Sequence, residues 1–178
     1  MPQILVVTGA SGAGKTAAVG ALDARGLPGV RCFHFDSVGV PTAEVMQAEY
    51  GGGEQWQAAV TGAWVLRLRA LPGDVRVAVL DGQTRPSYVF GAGAAAAGGV
   101  HVVLLDCSPE VRAARLRGPR QQPELATDRM DAWAAYLRGQ ADALGLDVID
   151  TSELSVEAVA DLLGRMTEGL TEPGPPAA

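Results

Sequence analysis

Asparagine is absent from this 178-residue chain, lysine occurs once, and isoleucine only twice, at Ile4 and Ile149. The other thirteen basic side chains are arginine, the drift expected of a GC-rich genome. A lysine kept against that drift marks a position that needs an ammonium on a flexible stem rather than a guanidinium fork. Without asparagine there is no Asn-Lys-x-Asp motif of the GTPase switches. The net charge of −6 argues against binding nucleic acid by bulk electrostatics, leaving only a local basic groove open. No run of about 18 apolar residues occurs, and no charged segment precedes the N-terminal apolar run, so a soluble, cytoplasmic protein with no membrane partner is expected. There are two cysteines, Cys32 and Cys107, far apart and set in or at the end of apolar runs. Buried reduced thiols suit them better than a disulfide or a metal site.

The single lysine stands in Gly9-Ala10-Ser11-Gly12-Ala13-Gly14-Lys15-Thr16, which satisfies G-x-x-x-x-G-K-[ST], the phosphate-binding loop. Glycines let such a loop fold into a nest of N–H groups aimed at phosphate oxygens, and the helix that follows adds its positive end. Lys15 is then expected on the β- and γ-phosphates of ATP, and the Thr16 hydroxyl on Mg²⁺. The context fits, because an apolar run ending at Thr8 precedes the loop and a helical stretch begins at Thr16.

Further apolar runs at Val30–Phe35, Val75–Leu80, Val100–Leu105 and Asp147–Ile149 alternate with helical stretches. This predicts a doubly wound α/β fold: a parallel sheet of about five strands with helices on both faces. A single domain over residues 1–170 is expected, with a disordered Pro/Gly-rich tail over 171–178. The Ala/Gly stretch 91–99 reads as a poorly specified helix end. In 54–71, Trp56, Val60, Trp64, Leu68 and Leu71 recur at helical spacing, which makes the tryptophans core residues or a wall of an acceptor pocket.

Ligands of open parallel sheets bind beyond the carboxyl ends of the strands. His34-Phe35-Asp36-Ser37 places Asp36 there, to accept a proton from an acceptor hydroxyl, to hold a water on Mg²⁺, or merely to cap the next turn. His34 reads as a packed or hydrogen-bonded side chain. The third strand runs into Asp81-Gly82-Gln83-Thr84-Arg85. Asp81 is a candidate for the Mg²⁺ shell, and Arg85 for an anionic group on the acceptor or a surface ion pair. After the fourth strand, a helix carries Arg112, Arg115 and Arg117 into Gly118-Pro119-Arg120. Arg115 and Arg120 are candidates to neutralise charge on the moving phosphoryl group, whereas Arg112 reads as part of a solvated basic face.

These segments resemble the small P-loop kinases: nucleoside monophosphate, shikimate and gluconate kinases and chloramphenicol phosphotransferase. Residues 81–85 look like the Asp-Gly-Phe-Pro-Arg of adenylate kinases, whose arginine binds the acceptor phosphate, although Gln83 and Thr84 depart from it. Glu110 through Arg120 is similar to the helix and lid entry of the same enzymes, with a short lid in this chain, and the resemblance implies that Arg115 and Arg120 contact the donor nucleotide and its phosphates. His34-Phe35-Asp36-Ser37 looks instead like chloramphenicol phosphotransferase and the zeta-toxin kinases, where the aspartate is the base for a hydroxyl. By the same resemblance Asp150-Thr151-Ser152-Glu153 is a candidate for the adenine, or else the cap of a helix beginning near Ser155. The implied activity is transfer of the γ-phosphate of ATP, with Mg²⁺, to a hydroxyl of a nucleoside, sugar, hydroxy acid or antibiotic. A nucleoside monophosphate kinase, a kinase of nucleic-acid 5′ ends and an ATPase switch without a small-molecule acceptor remain as alternatives.

Overall fold

Strands covered on both faces read as unbroken apolar runs, and β1 (Gln3–Thr8) is such a strand, with Ile4 to Thr8 all buried. In a computed structural model describing residues 1–91, 98–118 and 120–171, β1 is the centre of a five-stranded parallel sheet of order β2-β3-β1-β4-β5. The other strands are β2 (Val30–His34), β3 (Val77–Asp81), β4 (Val100–Asp106) and β5 (Asp147–Asp150). The doubly wound expectation therefore holds. The expectations for the Ala/Gly stretch at 92–97 and for the tail at 172–178 fall outside the described residues.

Alternation along the strands divides the core. Leu5, Val7, Val77, Val79, Val103 and Leu105 face one side, where they meet Val19 and Leu22 of α1 (Lys15–Asp23) and Val159 and Leu163 of α7 (Val156–Thr171). Ile4, Val6, Ala78 and Leu80 face the other, against Trp56, Trp64, Val65 and Leu68 of α3 (Gly53–Arg69). Truncating a fully buried leucine such as Leu5 in a layer of this kind costs about 2–5 kcal/mol. Leu104 meets Leu137 and Ala141 of α6 (Asp128–Leu144). The shorter helices are α2 (Ala43–Tyr50), α4 (Pro86–Gly91) and α5 (Pro109–Arg117).

Helix starts carry their chemical signals. The hydroxyls of Thr42, Ser108, Thr127 and Ser155 accept from the amides of Val45, Val111, Met130 and Ala158, each satisfying one of the orphan donors of a first turn. No helix among the described residues is long and apolar enough to cross a membrane. Since β3 and β4 flank β1, the chain reverses its winding at β1, and a crevice opens beyond the carboxyl ends of the three central strands.

Candidate active site

The loop from Gly9 to Gly14 leaves β1 at that crevice and enters α1. Its glycines are demanded by geometry. Gly9 has φ 150°, and a Cβ there would lie 2.2 Å from the Leu105 carbonyl oxygen. Gly12 has φ 86°, and its Cβ would meet the Arg112 side chain at 2.8 Å. Among the described residues, the amides of Gly12, Gly14, Lys15 and Thr16 donate to no backbone acceptor. Four unspent donors gathered at the start of a helix suit a phosphate chain.

Lys15 is buried, and its Nζ donates to the Ala10 carbonyl oxygen at 2.9 Å, so the ammonium rests on the loop it serves. Burial lowers its pKa from 10.5 to about 8. Asp81 is the main opposing influence, Arg120 pushes the same way as burial, and Asp36 opposes it. Four residues singled out from the sequence thus act on one another in one place.

The depressed Lys15 pKa makes a prediction about pH. Bound phosphates stabilise the ammonium, so binding raises its pKa, and above pH 8 binding takes up a proton. Affinity for Mg²⁺-ATP should be level below pH 8 and fall as pH rises through it, by up to about tenfold per unit. Titration calorimetry in buffers of different ionisation heats reads that proton uptake directly. An affinity unchanged from pH 7 to pH 9 would contradict the assignment.

β2 stops at His34, and the chain turns through a single 3₁₀ turn, Phe35–Val38. Asp36 therefore lies on the turn rather than on the strand that carries His34. His34 Nδ1 instead pairs with Asp81 Oδ2 at 3.0 Å, and Asp81, at the end of β3, is buried. Asp36 is exposed in the turn and caps no helix, since Thr42 caps α2. Thr16 is exposed on the first turn of α1. No cluster of three acidic, histidine or cysteine side chains exists among the described residues. Mg²⁺ sites formed largely by phosphates and water need only one or two protein oxygens, which Thr16 and Asp81 can supply.

Arg115 ties the loop to the segment after β5. Its Nη1 donates to Thr151 Oγ1 at 2.9 Å and to the Gly12 carbonyl oxygen at 3.3 Å, and its Nη2 to the Thr151 carbonyl oxygen at 2.6 Å. The Thr151 hydroxyl in turn donates to the Ala13 carbonyl oxygen at 3.0 Å. Arg115, Arg120, Thr151, Leu154 and Val156, with the loop, border a cavity of about 450 Å³, ample for a purine base and ribose. Ser155 both caps α7 and lines this cavity. Arg120 is exposed, its Nε bound to Gln122 Oε1.

One arginine differs from its sequence reading, and another forms the ion pair that was one of its two readings. Arg112 is not on a solvated face: it is buried, paired with Asp106 at 3.1 Å and Asp131 at 2.5 Å, and donates to the Cys107 carbonyl oxygen at 2.8 Å. Arg112→Ala would strand two carboxylates and should cost about 3 kcal/mol of stability, read as a lower urea midpoint. The low end of the range applies because Asp131 is 42% exposed. Arg85, half-buried, donates to Gln57 Oε1 at 2.7 Å and Glu54 Oε1 at 2.6 Å. The rings of Tyr88, Trp133 and Tyr136 surround its guanidinium at 4.8 to 5.7 Å.

No protein-family model matches the sequence, and no curated protein is significantly similar to it. Solved structures are. A gluconokinase from Sinorhizobium meliloti 1021 superposes with a TM-score of 0.65 at 22% identity, covering 95% of both chains. The fold is that of the small P-loop kinases. A shikimate kinase from Acinetobacter baumannii gives 0.63 at 13% identity over 95% of this chain and 94% of its own. A tunicamycin resistance protein from Deinococcus radiodurans gives 0.63 at 22% over 93% and 95%.

Within this P-loop kinase fold, the departures at Gln83 and Thr84 have visible work. Gln83 Oε1 accepts from Ser11 Oγ of the phosphate loop at 2.9 Å, and its carbonyl oxygen accepts from Gln57 Nε2 at 2.9 Å. Thr84, fully buried, shares its hydroxyl with Thr61 at 2.7 Å, and its carbonyl oxygen accepts from Thr8 Oγ1. Gln57, Glu54, Trp133 and Tyr136 were not singled out from the sequence. They reach the site from α3 and α6, and no local spacing announces such contacts. Cys107 is buried and Cys32 half-buried, and burial pushes both thiols up, Cys32 to about 12.

Proposed function

We propose that the protein is an ATP-dependent phosphotransferase that moves the γ-phosphate to a hydroxyl of a small molecule. One observation carries this reading: a loop of unspent amides and a buried lysine, with an exposed carboxylate acting on the same ammonium from the turn that follows β2. The amides of Gly12, Gly14, Lys15 and Thr16, with the Lys15 ammonium, bind the β- and γ-phosphates, and Arg115 and Thr151 border the space for the nucleoside. Thr16 and Asp81 would hold Mg²⁺, which supplies charge neutralisation across the transferred phosphoryl group. His34 fixes the Asp81 carboxylate by its hydrogen bond. Asp36 orients the acceptor hydroxyl and takes its proton. Arg120, on the exposed segment after α5, supplies positive charge as the group moves.

Arg85 decides between acceptors. An anionic acceptor, such as a nucleoside monophosphate, would have to displace Glu54 from it. The carboxylate of Asp36 would also repel a second anion. A neutral hydroxyl meets neither obstacle. A coupled assay of ADP formation tests the reading: hydroxyl acceptors should raise ADP output above the basal rate, with phosphate appearing on the acceptor. Slow ADP release indifferent to every acceptor, with free phosphate as the product, would favour an ATPase switch.

A further inference from the structure

Exposed apolar side chains are unevenly placed on this molecule. Val38, Val40, Val45 and Tyr50 are between 38% and 57% exposed, all within the segment that follows Asp36 and runs through α2. Opposite Val38 and Tyr50, α3 presents Trp56, Val60, Ala63 and Trp64. An open cleft of about 350 Å³ lies between the two walls, with Val38 and Tyr50 on one side. That is within the range of small-ligand sites.

Few polar groups face the cleft. The Trp64 indole N–H is spent on the Phe35 carbonyl oxygen at 3.2 Å. The one charged side chain lining it is Arg67, whose guanidinium lies over the Trp64 ring at 4.9 Å. The cleft begins two residues from Asp36, because the turn Phe35–Val38 carries Asp36 and its last residue, Val38, lines the cleft. Phe35 packs edge-on against Trp56 at 6.1 Å, Asp36 follows it, and Val38 lines the cleft.

We infer that this cleft takes the apolar part of the acceptor, and that the substrate is a neutral alcohol bearing an aryl or short alkyl group. The inference rests on the phosphotransferase reading. It narrows the acceptor classes, because a sugar or sugar acid seated there would press its hydroxyls against indole and valine and leave them without partners. An aryl group on the same walls gains both area and ring contact.

The experiment is a binding titration, so it does not depend on turnover. The ¹⁵N-labelled protein, loaded with Mg²⁺ and a non-hydrolysable ATP analogue, is titrated with 4-phenyl-1-butanol and separately with sorbitol. The phenyl alcohol should give saturable amide shifts at Val38, Tyr50, Val60 and Ala63, and sorbitol should not. Ala63→Trp, which fills the cleft from an exposed helix position, should weaken the phenyl alcohol at least tenfold and leave affinity for the ATP analogue unchanged. Ala63→Ser should bind both as the wild type does. Absence of saturable shifts in the cleft, tighter binding of sorbitol there, or indifference to Ala63→Trp would overturn the inference. A wild-type protein that binds the phenyl alcohol as expected, yet phosphorylates no acceptor, would instead count against the phosphotransferase reading.

Discussion

Lys15→Ala is expected to remove phosphoryl transfer while leaving the fold in place. The Lys15 ammonium is buried in the phosphate loop, held on the Ala10 carbonyl oxygen and within the field of Asp81 and Asp36. Its charge acts at low dielectric, where one preorganised group aimed at a developing charge is worth about 10²–10³ in rate. A loss of at least about 100-fold in kcat/KM is therefore expected. Lys15→Arg should fail as well, since a planar fork of five donors cannot replace a compact ammonium in that space. Both variants should keep a cooperative thermal transition. An alanine variant within threefold of wild type would show that the loop does not act on the transferred phosphate.

Asp36→Asn carries the second large expectation. The carboxylate is exposed, caps no helix and lies near enough to raise the Lys15 pKa, so its removal should barely change stability. A general base at this position would contribute about 10²–10⁴ to turnover. The loss should fall on kcat, with the KM for ATP unchanged. Dependence on metal concentration separates the two chemistries open to this residue. If excess Mg²⁺ restores the variant, Asp36 serves the metal's water shell; if it does not, Asp36 acts on the acceptor. A wild-type rate on the true substrate would sink both assignments.

How far the sequence revealed this arrangement depends on how local each feature is. The phosphate loop is contiguous and its glycines are required by positive φ and by close approach, so eight residues announced it. Strands β1, β3 and β4 were legible because burial on both faces leaves continuous apolar runs. Asp36 and Asp81 could be placed because strand ends in such a sheet aim at one crevice. Contacts between distant elements were not legible. Arg112 looked solvated from its own helix, and only the approach of Asp131 from α6 makes it a buried ion pair. The coupling of His34 to Asp81 needed β2 and β3 side by side, a pairing the order of strands in the sequence does not disclose. The aromatic surround of Arg85 draws on α4 and α6, nearly fifty residues apart. Trp56 and Trp64 are core residues, as one reading of the middle helix had it, and both also line the cleft beside α2.

The central claim is that this crevice transfers phosphate to a hydroxyl. Mass spectrometry of products after incubation with Mg²⁺-ATP and pooled neutral alcohols, sugars, hydroxy acids, nucleosides and nucleoside monophosphates tests it most directly, with Lys15→Ala as control. The predicted result is one new phosphate monoester of a neutral hydroxyl compound, formed with ADP and absent from the control. ADP accompanied only by inorganic phosphate, or a product that persists in Lys15→Ala, would contradict it.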